Sequence, residues 1–216
     1  SRFATPTAET LLAAHLLSVL GPTATPTQKA KETADQVALY VAGNRKLEVR
    51  KGGTLRTRRA LLGDIVNSTP MYQGPLDEGW GTFTTTMAEA TSYGTFANSK
   101  NTATTLYVGA NDGMLHAFNA ATGEERWAFL PESLQSLVPL LVDPGYTHRY
   151  FVDGSMTVSD AYVGGAWKSI LVGVLGAGGK SVFGIDVTNP TSPTVLWEYS
   201  NEDLGYVLSK PQIVRL

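Results

Sequence analysis

The stretch Thr105–Pro131, TLYVGANDGMLHAFNAATGEERWAFLP, decides the fold. TLYVGAN reads as a strand. Asn111-Asp112-Gly113 then supplies a turn, because Asp and Gly tolerate the positive φ angles of a tight hairpin. MLHAFNA is the returning strand, with Leu115, Ala117 and Ala120 directed to the core. ATGEE makes a second turn and RWAFLP a third strand, so the segment is an antiparallel meander.

The same layout recurs at Lys168–Ser200, KSILVGVLGAGGKSVFGIDVTNPTSPTVLWEYS. Val108-Gly109 aligns with Val172-Gly173, and Trp127 aligns with Trp197. Gly109 and Gly173 mark the first strand of each meander. Asp112-Gly113 holds the place that AGGK holds in the second copy. Repeated tryptophans of this kind wedge between neighbouring blades, so Trp127 and Trp197 are expected to be structural. DIVNSTPMY and TVSDAYVG stand upstream as a further strand for each set, the former with a strand on either side of Pro70. Four-stranded antiparallel units repeated along a chain predict a β-propeller. Blade one is expected over about 61–130 and blade two over about 148–200, and LGYVLSKPQIVRL at 204–216 opens a third. A ring closes with about 4 to 8 blades. The chain also starts at Ser1 rather than Met, so a piece of a longer protein is expected.

Residues 1–50 are expected as a helical lead-in. TPTAETLLAAHLLSVLG and TPTQKAKETADQVALYVAGN each predict a short amphipathic helix that packs on the blade region, the second ending at Gly43-Asn44. The basic run Arg45–Arg59, RKLEVRKGGTLRTRR, could bind an anionic surface, but it reads first as a solvated, extended linker. Two insertions interrupt the blades. QGPLDEGWGTFTTT, followed by a short helix within TTTMAEATSYGTFANSK, offers Trp80 and Phe83 as candidates for an exposed contact surface. LPESLQSLVPLLVDPGYTHRY has an apolar, helix-like centre and is a second candidate surface, set against simple packing on the rim.

The 216 residues carry a formal net charge of −2 and no cysteine. That removes thiolate nucleophiles and Cys-based metal sites, and gives no basic excess for nucleic acid. No apolar run reaches the ~18 to 20 residues of a membrane span. VGVLGAGGKSVFGIDV, Val172–Val187, is not a phosphate loop. Val174 stands where G-x-x-x-x-G-K-[ST] needs glycine, and VFGIDV is a strand where a helix would have to start. The aspartates lack calcium-loop spacing, and turn or cap roles account for Asp64, Asp112 and Asp153. His15, His116 and His148 lack metal spacing. His116 alternates with Leu115 and Ala117, so it is expected on the other face of its strand, structural or solvent-facing. No catalytic residue, cofactor ligand or metal ligand is assigned in this chain.

LLGDIVNSTPMY, LYVGANDGMLHAFNAATGEERWAFLP, HRYFVDGSMTVSDAYV, WKSILVGVLGAGGKSVFGIDVTNP and LWEYSNEDLGYVLSKPQIVRL together resemble the C-terminal propeller of the PilY/PilC family. These are type IV pilus biogenesis factors and tip-associated adhesins, and the resemblance covers roughly Leu61–Leu216. The meander also looks like one repeat of the quinoprotein propellers, which share the blade. The resemblance implies a mainly β, quinoprotein-like propeller, partial in this chain, behind two short N-terminal helices. It implies a non-enzymatic module for pilus assembly and tip adhesion that opposes retraction and attaches to a surface or host cell. The implied partners are minor pilins, the pilus machinery and a host-cell or surface receptor. The implied location is the periplasm, outer membrane or pilus tip. Calcium is implied only for a later blade of the family. Competing readings are a quinone-dependent dehydrogenase, against which the lack of cysteine counts, and an outer-membrane assembly scaffold.

Overall fold

A computed structural model describes residues 35–215. The first expected helix lies outside the described residues. Two four-stranded antiparallel sheets follow one another, each with its strands in chain order. The first contains β1 (Met71–Gln73), β2 (Thr105–Gly109), β3 (Leu115–Asn119) and β4 (Glu125–Phe129). The second contains β5 (Met156–Val163), β6 (Ala166–Val174), β7 (Ser181–Asp186) and β8 (Thr194–Ser200). Short connections favour this hairpin order, and Gly113 (φ 102°) and Gly123 (φ 75°) take the left-handed conformations that their turns need.

The sheets stack face to face. Tyr107, Leu115, Ala117 and Trp127 of the first share one core with Leu171, Phe183 and Ile185 of the second. The period-2 alternation of each strand therefore decides which residues meet. The pairing register sharpens the repeat. Ala117 lies between Tyr107 and Trp127, and Gly184 lies between Val172 and Trp197. An irregularity immediately follows both Ala117 and Gly184. Tyr107 thus corresponds to Val172, and Gly109 to Val174 rather than to its neighbour Gly173. The two marker glycines accordingly do different jobs. A Cβ on Gly109 would stand 2.2 Å from the Val152 carbonyl oxygen, whereas one on Gly173 would strike the Phe183 ring at 2.3 Å.

Trp127 is buried, and its Nε1 donates to the Pro190 carbonyl at 2.9 Å, so the turn before β8 covers it. Trp197 is 43% exposed in this chain. It shares a face with Gly184 and Val172, the face turned away from the first sheet, where no described element covers it as Pro190 covers Trp127. Residues 61–70 also differ, forming no strand before Pro70. Their polar groups bond outward. Asn67 donates its backbone N and Nδ2 to Asp153 at 3.0 and 2.6 Å, and Ser68 Oγ accepts from Gly109 N at 2.8 Å.

Residues 35–41 are helical (α1), and Gly43 turns the chain at φ 99°. Val37, Tyr40 and Val41 pack with Met114, Val138 and Val142. The basic run after α1 is folded, not extended. Glu48 is fully buried, with Arg50 Nε at 2.8 Å, Arg58 Nε at 3.1 Å and Arg45 Nε at 3.6 Å. Burial opposes ionisation of Glu48, but the hydrogen bond from Arg58 and the charges of the three arginines outweigh it and hold its carboxyl below the usual range. Arg58 also donates to the carbonyls of Tyr40 and Asn44. The 131–150 insertion is core rather than contact surface. Its 3₁₀ turn Glu132–Leu137 and the short helix Val138–Val142 bury Leu134, Val138 and Leu141.

Candidate functional site

The insertion between β1 and β2 is built as a rigid plate. Asp77 Oδ1 accepts from Gly79 N at 2.7 Å, and Gly79 (φ 81°) launches the 3₁₀ turn Trp80–Phe83. Helix α2 (Ala90–Ser99) then sets Ala90, Tyr93, Phe96 and Ala97 on one face, by the three- and four-residue spacing of a helix. That face packs on Trp167 at the start of β6. Trp167 is 8% exposed. It meets Tyr93 edge-on at 4.7 Å, Tyr162 edge-on at 5.5 Å, and Trp80 nearly parallel at 6.4 Å. Its Nε1 donates to the Glu89 carbonyl at 2.9 Å.

Polar bonds lock the plate to β5. Tyr93 Oη donates to Asp160 Oδ2 at 2.6 Å and accepts from Glu78 N at 2.8 Å. Burial, together with the bond to Asp160, pushes the phenol well above its ordinary value, so it stays protonated. Glu78 Oε2 accepts from Ser159 Oγ at 2.6 Å and from Asp160 N at 3.0 Å. Lys100 pairs with Asp160, and Ser169 Oγ donates to it. The expected contact residues emerge on this plate. Phe83 is 48% exposed, and Trp80 is half-buried, 6.0 Å from it. Sequence reasoning missed Tyr93, Tyr162 and the Glu78–Asp160 lock, since nothing local pairs positions 82 residues apart.

The β2–β3 hairpin carries the other charged constellation. Strand alternation does turn His116 away from Leu115 and Ala117, but it is buried rather than solvent-facing. Its Nδ1 lies 2.6 Å from Glu125 Oε1, and its Nε2 lies 3.0 Å from Asp112 Oδ1. Burial disfavours the charged ring, yet the bonds to Asp112 and Glu125 prevail and raise its pKa to about 9. At neutral pH the ring is an imidazolium with both nitrogens engaged, so it has no lone pair with which to act as a base. Asp112 is more than a turn residue. It also accepts from Gly63 N at 2.7 Å and Met114 N at 3.2 Å, tying residues 61–63 to the hairpin. Gly113 at the tip has Leu141 Cδ1 3.3 Å from where a Cβ would stand.

His148 bonds Asp64 at 2.7 Å, not Asp143, and is half exposed. The 175–180 connection is a hairpin loop with a 3₁₀ turn at Gly176–Gly178, followed by strand β7, so no helix amides face a phosphate there. A Cβ on Gly178 would lie 1.6 Å from the Phe151 carbonyl oxygen, so that glycine serves close packing. Among the described residues, no group of three His, Asp or Glu side chains is arranged to hold a metal ion, and no helix is long and apolar enough to cross a membrane.

A family model described as the PilY1 beta-propeller domain matches residues 62–216. A type IV pilus biogenesis factor PilY1 homolog of Xylella fastidiosa is 42% identical over 194 residues, covering 88% of this chain and 16% of that protein. Type IV pilus biogenesis factor PilY1 of Pseudomonas aeruginosa (strain UCBPP-PA14) is 45% identical over 170 residues, covering 74% of this chain and 14% of that protein. The crystal structure of the P. aeruginosa PilY1 C-terminal domain aligns at 43% identity with a TM-score of 0.47, over 57% of this chain and 24% of that one. The chain thus spans about a sixth of the length of the curated relatives it matches.

Proposed function

This chain belongs to the PilY1 β-propeller family, and we propose that it is a non-enzymatic module of type IV pilus biogenesis whose β1–β2 insertion is a contact surface for tip adhesion. The carrying observation is the insertion itself. It exposes Phe83 and part of Trp80 while Tyr93, Trp167 and the Glu78–Asp160 lock fix it to the second sheet. Aromatic side chains presented on a rigid support contribute contact area with little ordering cost. The non-enzymatic reading draws support from His116, whose ring nitrogens both face carboxylates.

In this reading the module is exported, works with minor pilins at the pilus tip, opposes retraction, and attaches to a surface or host cell. The test is the double substitution Trp80→Ala/Phe83→Ala in the full protein. Surface pili, counted by electron microscopy, should be retained while attachment to epithelial cells or glass falls. Unchanged attachment by such piliated cells would refute the contact-surface reading.

A further inference from the structure

A cavity of about 390 Å³ opens where the insertion, the end of β5 and residues 213–215 meet. That volume lies within the ~300–1,000 Å³ span of small-molecule pockets. Trp80, Trp167 and Tyr162 supply aromatic wall, and Glu89, Asp160 and Arg215 supply polar groups. Both of these carboxylates are paired. Arg215 Nε holds Glu89 Oε1 at 2.7 Å, and Lys100 holds Asp160. Glu78, at the edge of the pocket, makes no ion pair among the described residues, but its Oε2 is occupied by Ser159 Oγ, Asp160 N and Trp80 Nε1.

Capacity for hydrogen bonding remains. Tyr162 is 44% exposed, and its hydroxyl makes no hydrogen bond among the described residues. The Arg215 side chain is 52% exposed and bonds Glu89 through Nε alone among the described residues. The aromatic wall is set before any ligand arrives, because Trp167 Nε1 is held by the Glu89 carbonyl and Tyr93 by Asp160. Aromatic faces beside polar groups already fixed by hydrogen bonds and ion pairs match a ligand with flat C–H faces and a hydroxylated edge. We propose that this pocket binds a neutral sugar ring, stacked on Trp80 and Tyr162 and hydrogen-bonded by Tyr162 Oη and the Arg215 guanidinium. The proposal rests on the contact-surface reading above and names the chemistry that surface takes.

The test uses the full protein, with saturation-transfer NMR and calorimetric titration. The probes are the methyl glycosides of glucose, galactose, mannose and N-acetylglucosamine, with tetramethylammonium and sulfate as charged probes. At least one glycoside should bind, and Trp80→Ala should abolish that binding. Tyr162→Phe keeps the ring and removes one hydrogen bond, so it should weaken binding about three- to tenfold with an unchanged circular dichroism spectrum. No binding by any glycoside, undiminished binding in both Tyr162→Phe and Arg215→Gln, or charged probes bound in place of sugars would each overturn the proposal. Attachment of piliated cells separates the two readings. Attachment lost in Trp80→Ala without any sugar binding removes the sugar and keeps the contact surface. Sugar binding with unaltered attachment does the reverse.

Discussion

Raising the pH should remove a defined share of the stability by discharging His116. A pKa raised from 6.5 to about 9 means that folding favours the charged ring by about 3 kcal/mol, at about 1.4 kcal/mol per tenfold in proton affinity. The sign follows from the direction. Below pH 6.5 the ring is charged in the folded and the unfolded chain, and the whole contribution is present. As pH rises from 6.5 to about 9 the unfolded chain loses the proton first, and the contribution shrinks. Above about pH 9 it is gone. The ring is 3% exposed, so solvent screening discounts little of it. The assay is urea unfolding at pH 6, 7.5 and 9.5, for the wild type and for His116→Gln. Wild type should lose about 3 kcal/mol more than the variant between the first and last pH. Ring-proton NMR should give a folded-state pKa near 9. Parallel stability profiles, or a ring that titrates at or below 6.5, would refute the reasoning.

Gly178→Ala should prevent correct folding or cost more than about 3 kcal/mol, because its Cβ would overlap the Phe151 carbonyl. Lys180→Ala, at the exposed end of the same loop, should stay within about 0.5 kcal/mol; thermal melts compare the two. Glu48→Gln leaves Arg58, 8% exposed, beside an uncharged partner. It should cost about 3–5 kcal/mol in urea titrations at neutral pH, and a cost below about 1 kcal/mol would show that the arginines find other partners. Trp127→Ala should cost about 3–5 kcal/mol, and Trp197→Ala, 43% exposed in this chain, well under half of that. Equal costs would mean that Trp197 is covered as Trp127 is.

The repeat was legible because it is local. Strand alternation, the Asn-Asp-Gly turn and the paired tryptophans all act within a few residues, and they predict two meanders that the hydrogen-bond ladders reproduce. The glycine correspondence missed by a single position because a Val-Gly pair in each strand does not by itself set the pairing register. The β6–β7 loop is longer than the β2–β3 loop, and the β7–β8 connection is longer than the β3–β4 one, so the offset between equivalent positions grows along the meander. It is smallest at Gly109 and Val174, larger at Ala117 and Gly184, and largest at the tryptophans. Only hydrogen-bond partners reveal where the extra residues sit.

By itself the sequence determined the two meanders, their strand order and the alternation of faces along each strand. Tertiary structure decided which faces are covered. Trp127 and Trp197 hold the same place in their sheets, yet one lies in the shared core and the other on the far face. His116 sits on the far face of the first sheet, and its burial depends on residues brought from outside the strand. Asp160 gains Glu78, Tyr93 and Lys100 as neighbours only when the insertion folds back onto β5. The physical reason is the same in each case. Local preferences fix dihedral angles and alternation, whereas burial and pairing of charges depend on contacts between distant segments, which neither composition nor spacing encodes.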